Sequence, residues 1–175
     1  MKNLLLLLTL FLCLVSCKSA KHSTTDHKQQ INKTLDAWHE AAAKAEFETY
    51  FDLMSPKGVF IGTEATEHWQ NEAFRTFCKP YFDKGKAWQF SVLERNLYLN
   101  ETQDTAWFDE LLDTQMKICR GSGVLVKSGK EWKIAHYVLS MTVPNDHTNE
   151  VIKIKSPAEN EVIEQLKKKK INNKK

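Results

Sequence analysis

The 175-residue chain has no apolar run long enough to cross a bilayer. The longest, Leu4 to Leu14, covers about eleven residues, and a spanning helix needs about 20. Its four cysteines include no zinc-type pair, which excludes a structural zinc module. No glycine-rich phosphate loop and no cluster of metal-ligating residues can be found, so neither a metal nor any other cofactor is expected. A domain-wide surplus of one charge is also missing. From Cys17 to Glu150 there are 16 Lys/Arg against 19 Asp/Glu, a net of −3; from Val151 to Lys175 there are 8 Lys against 3 Glu, a net of +5. The basic overall balance is a property of the C-terminal stretch, and no nucleic-acid partner is expected.

What is present begins with an export signal. Lys2 supplies a positive start, and Leu4 to Leu14 has the length of a signal-peptide core. Leu14-Val15-Ser16-Cys17 follows at once and resembles the lipobox of bacterial lipoproteins. The resemblance implies cleavage before Cys17 and a diacylglycerol thioether on its thiol. Each buried methylene of such an anchor adds about 0.8 kcal/mol to membrane affinity. The expected location is the bacterial cell envelope, anchored in a membrane on its periplasmic or surface side. The chain then divides into a signal peptide (1–16), a polar tether (17–28), one folded domain (29–145) and a basic C-terminal tail (146–175). Five Trp and nine Phe imply an aromatic interior.

Periodicity predicts helices first. Ile31, Leu35, Trp38, Ala42 and Ala45 form one apolar stripe from about Gln29. Phe47, Tyr50, Phe51 and Met54 continue as a short helix, which Ser55-Pro56-Lys57-Gly58 stops. Val59 to Thr63 reads as a short strand. A third helix, Glu72 to Asp83, has Asn71 as its cap and Phe74, Phe77 and Tyr81 on one face. After Gly85 the period becomes two, with strands at Trp88–Leu99, Thr105–Met116, Gly121–Lys127 and Glu131–Val143. Helices followed by an antiparallel meander make the fold α+β. Beyond Pro144 only a turn or two of helix around Val162–Leu166 is expected.

Six segments carry a resemblance: Ala37-Trp38-His39, Tyr50 to Ser55, Gly58 to Thr63, Pro80 to Gly85, Ala106 to Glu110 and Trp132 to Tyr137. Their order is similar to the SnoaL-like branch of the nuclear transport factor 2-like superfamily. The resemblance implies a cone-shaped, curved antiparallel sheet wrapped around N-terminal helices, with a pocket at the open end. Relatives include isomerases, dehydratases, epoxide hydrolases, polyketide cyclases and pocket-bearing proteins without a known reaction, so function must be read from the site. Ketosteroid-isomerase-like relatives carry a general-base aspartate just after the first strand. Here that place holds Gly62-Thr63, with Glu64 the nearest acid, and that mechanism is not carried over.

Strand alternation nominates the remaining residues. Asp109 shares a face with Trp107 and Leu111, and His136 with Ile134 and Val138. In a cone interior they would form an acid/base pair; on a half-exposed sheet they would be wet-face or core residues. Arg120 could pair with a carboxylate. Thr63, Glu64, Trp69, Trp107 and Arg120 are the expected pocket wall. Ala135, Tyr137, Leu139 and Met141 put apolar groups on the opposite face of the last strand, which predicts a homodimer through the sheet. Cys78 and Cys119 are either free thiols or a disulfide. Two functions stay open: a lipid-anchored pocket that binds a small, partly apolar molecule, and a cofactor-free lyase, isomerase or hydrolase using Asp109 and His136.

Overall fold

The structure is a computed structural model describing residues 23–172. The expected signal peptide and Cys17 lie outside the described residues. Helix α1, Thr24–Ala43, starts at a capping box: the Ser23 hydroxyl accepts the Asp26 N–H at 3.1 Å, and the Asp26 carboxylate accepts the Ser23 N–H at 2.9 Å. The helix therefore begins ahead of Gln29, and His27 packs edge-on against Trp132. Its stripe of Ile31, Leu35, Trp38 and Ala42 is buried. Helix α2, Phe47–Asp52, adds Tyr50, whose ring stacks on Trp38 at 4.8 Å.

Strand β1, Met54–Ile61, begins earlier than expected. Ser55-Pro56-Lys57-Gly58 does not turn the chain; it forms an irregularity in the strand, between Met54 and Val59, where Pro56 has no ladder bond to donate. A three-residue strand, β2, His68–Gln70, pairs with β1 at the sheet edge. Helix α3, Asn71–Asp83, buries Phe74, Cys78 and Phe82, while Phe77 and Tyr81 sit at the edge of that stripe. The Asn71 amide donates to the Ser55 carbonyl at 2.6 Å, tying α3 to β1. Gly85, at φ +70°, then reverses the chain.

The meander follows: β3 Ser91–Leu99, β4 Thr105–Thr114, β5 Lys117–Ser128 and β6 Glu131–Met141. The third and first of these are longer and shorter than the sequence predicts; Trp88 and Phe90 precede β3 rather than forming it. The sheet order is β2-β1-β6-β5-β4-β3. All neighbours are antiparallel except β1 and β6, which run parallel. The fold is α+β, as expected, with one parallel ladder where the first long strand meets the last.

One irregularity decides which side chains face inward. On β5 the partners of Val124 and Leu125 are His136 and Ile134, so Ala135 is an extra residue. Before it, Trp132 and Ile134 are buried; after it, Tyr137 and Leu139 are. The inward set changes from even to odd positions. Tyr137 and Leu139 are therefore not available for the pairing surface expected of them. The outward face instead exposes Tyr98 and Trp107, whose rings stack at 5.9 Å.

After a 3₁₀ turn at Asn145–His147, helix α4 runs from Thr148 to Asn172. It is far longer than the turn or two expected, carries Pro157 inside, and buries no residue. Among the described residues no helix is long and apolar enough to cross a membrane.

Candidate functional site

The inward face of β4 is Ala106, Phe108, Glu110, Leu112 and Thr114, all buried. A glutamate 1 % exposed in that row must be paired, and it is. Glu110 Oε1 lies 2.8 Å from His39 Nε2 on α1 and accepts the Tyr137 hydroxyl at 3.1 Å. Its Oε2 accepts Arg95 Nε from β3 at 2.8 Å. Arg95 Nη1 reaches back to α1, donating to Asp36 Oδ1 at 2.7 Å and Asn32 Oδ1 at 3.1 Å. Asn32, Asp36 and His39 recur at four and three residues, so one side of α1 supplies all three. Burial by itself would raise the Glu110 carboxyl; the hydrogen bond and charge of His39 and the guanidinium of Arg95 outweigh it and hold it below the ordinary glutamate value. Burial first, and then the Glu110 charge, push the Tyr137 phenol well up, so it stays a donor. Gly121 makes room: a Cβ there would overlap the Tyr137 hydroxyl.

A cavity of about 140 Å³ opens between α3, the β1–β2 edge and the segment before β3. Its walls include Phe60, Trp69, Phe74, Phe77, Trp88 and Phe90. Several of these rings form one continuous stack: Phe60 on Phe74 at 4.1 Å, Phe74 on Trp69 at 5.6 Å and Trp69 on Phe77 at 4.5 Å. Thr63, Glu67 and Gln115 are its polar edge. None of Glu110, His39, Arg95 or Tyr137 lines it. The buried cluster and the cavity are neighbours through Phe90, whose ring meets His39 edge-on at 5.9 Å.

The residues nominated from sequence divide between the two faces. Thr63 and Trp69 line the cavity. Glu64 stands beside it, accepting the Thr66 hydroxyl at 2.5 Å. Trp107, Asp109 and Arg120 alternate out of phase with the buried β4 and β5 positions and lie on the outward face. His136 joins them there because of the extra residue at Ala135. Asp109 accepts a bond from Asn96 at 3.2 Å; it faces Ser122, while His136 faces Val124. The two do not share a cavity and do not pair. Glu110, His39 and Arg95 went unnominated, although Glu110 is in phase with Phe108 and Leu112, a signal the sequence carries. Trp88, predicted as the start of a strand, is a cavity wall. Cys78 and Cys119 are buried free thiols, and burial pushes the Cys78 thiol well up.

A family model described as SnoaL-like domain matches residues 31–144. No curated protein matches the chain. Solved structures are similar in fold. An NTF2-like protein of unknown function from Pseudomonas putida KT2440 superposes with a TM-score of 0.58 at 13% identity, covering 70% of this chain and 91% of that one. A domain of unknown function with a cystatin-like fold from Nostoc punctiforme gives 0.61 at 17%, covering 85% and 99%. A candidate dehydratase of the NTF2-like family from Streptomyces avermitilis gives 0.57 at 14%, covering 66% and 96%.

Proposed function

The chain belongs to the SnoaL-like domain family, and we propose that it serves as a lipid-anchored envelope protein whose aromatic cavity binds a small, partly apolar molecule. The cavity's size and lining support this reading. An apolar cavity of about 150 Å³ accommodates one benzene ring, so about 140 Å³ suits a ligand of one ring or an equivalent branched group, well below the roughly 300 Å³ where drug-sized sites begin. Thr63, Glu67 and Gln115 would orient its polar end. The reading as an acid/base enzyme loses its pair, since Asp109 and His136 face outward and apart. The Glu110 cluster does not replace it: the carboxylate already accepts three donors and borders no part of this cavity.

Phenol is a suitable probe. Titration followed by NMR should show saturable shifts around Trp69 and Trp88, and Leu139→Phe, which fills the cavity, should remove them. Shifts that persist unchanged in Leu139→Phe, or no saturation at millimolar phenol, would overturn the pocket reading. The anchor is tested separately. Cys17→Ser should abolish acyl labelling and release the protein from the membrane fraction; a variant still labelled and membrane-bound would refute the lipidation of Cys17.

A further inference from the structure

We propose that the aromatic cavity prefers a small organic cation, an alkylammonium group, and that Glu67 sets this preference. The inference rests on the cavity being a ligand site and names the class of ligand it takes. Two features carry it. The first is the wall. Half of the twelve lining residues are Phe or Trp, and an aromatic wall of this kind attracts an ammonium or its alkylated forms. Met116 adds a flexible, polarizable side chain to the same lining. The second is charge. Glu67 is the only formally charged side chain in the lining, and no lysine or arginine accompanies it.

The carboxylate is placed rather than incidental. It occupies the notch left by Gly62, where a Cβ would overlap Glu67 Oε2. The backbone holds it there: Gly62 N–H donates to the Glu67 carbonyl at 3.0 Å, and Glu67 N–H to the Glu64 carbonyl at 3.0 Å. Glu67 Oε2 accepts the Glu64 N–H at 3.2 Å, and among the described residues Glu67 has no cationic partner. Glu64 adds a second negative charge beside the opening. A carboxylate-bearing ligand would meet repulsion from both glutamates, and an uncharged one would leave Glu67 unanswered. An alkylammonium answers the aromatic wall and the carboxylate together.

The test compares choline with 3,3-dimethylbutan-1-ol, which replaces the quaternary nitrogen by carbon at equal shape. The purified full chain should bind choline about 3- to 30-fold more tightly than the alcohol. Glu67→Gln should remove most of that preference, chiefly by weakening choline, while leaving the melting temperature unchanged. Equal affinities in the wild-type protein, or a preference that survives Glu67→Gln, would overturn the proposal. Saturable phenol binding with no choline binding would also overturn it, yet leave the pocket reading standing; no binding of phenol, choline or the alcohol would remove both. Vesicles of phosphatidylcholine separate two sources of the same chemistry. Free choline bound without vesicle co-sedimentation of the Cys17→Ser chain places the cation in solution. Co-sedimentation that Glu67→Gln abolishes places it on a lipid head group. Both results support ammonium recognition.

Discussion

Replacing Glu110 by Gln tests whether the buried polar cluster holds the first helix to the sheet. The substitution keeps shape and volume and removes one charge. Three donors now converge on the carboxylate, from His39, Arg95 and Tyr137. An amide offers one acceptor oxygen and turns an NH₂ toward the donors it should receive. Arg95, its side chain only 6% exposed, keeps its charge but loses its buried counterion, leaving Asp36 and Asn32 alone to answer it. Removing one partner of such a buried pair costs about 3–5 kcal/mol. For a domain of this size that is roughly 10–20 °C in Tm and a large part of an ordinary stability of about 5–15 kcal/mol. Asp109→Asn is the internal control. It changes the adjacent residue in the same way on the outward face and should cost no more than about 0.5 kcal/mol. The pH dependence has a definite sign. The Glu110 carboxyl is held below its ordinary value near 4.5 in the folded protein, so its stabilisation is present above that value and lost as pH falls through the folded one. The gap between wild type and Glu110→Gln, measured by urea denaturation, should be widest at neutral pH and narrow below about pH 4. A gap under 1 kcal/mol at pH 7, or one independent of pH, would refute the role given to the carboxylate.

Three further outcomes follow from packing. Gly121→Ala should destabilise by about 1–3 kcal/mol, the usual cost of overpacking. Its Cβ would overlap the Tyr137 hydroxyl and lie 3.0 Å from Glu110 Cγ; an unchanged denaturation midpoint would contradict that geometry. Truncation after His147 removes α4, which buries nothing, so cooperative melting within a few degrees of the whole protein is expected by calorimetry. His136→Ala should change stability by less than about 1 kcal/mol and leave phenol titrations unaltered; altered binding would return His136 to the site.

The folding class was legible because the aromatic and aliphatic positions keep strict periods. Ile31, Leu35 and Trp38 mark a helix, and Phe108 and Leu112 mark a strand, whichever neighbours surround them. Thr63 and Trp69 were legible at the cavity because they follow the first strand, where the family resemblance puts the opening. Asp109 and His136 were misplaced for two different reasons. Asp109 borrowed the hydrophobicity of Trp107 and Leu111, but Trp107 is half exposed on the outside of the sheet; a large ring does not by itself define the core face. His136 was in phase with Ile134 by simple counting, and counting cannot see an inserted residue. Glu110 was overlooked because a charged side chain reads as solvent-facing until its partners are known, and those partners sit 15 and 71 residues away in the chain. The turn residues Ser55 to Gly58 misled because a bulged strand edge uses the same chemistry as a turn.

The extra residue at Ala135 makes β6 two half-strands spliced with opposite parity. A scan of all single substitutions along this strand should therefore show a phase slip in tolerance. Even positions would be intolerant up to Ile134 and odd positions from Tyr137 onward, with Ala135 and His136 permissive between them. Deleting Ala135 should leave the inward side chains on both halves of the strand facing inward. With the extra residue gone, Ile134 and His136 become consecutive, His136 stays outward opposite Val124, and Tyr137 stays inward opposite Gly123, so its hydroxyl keeps its bond to Glu110. A single extra residue thus sets the offset by which positions beyond Ile134 depart from even counting, and with it the outward place of His136.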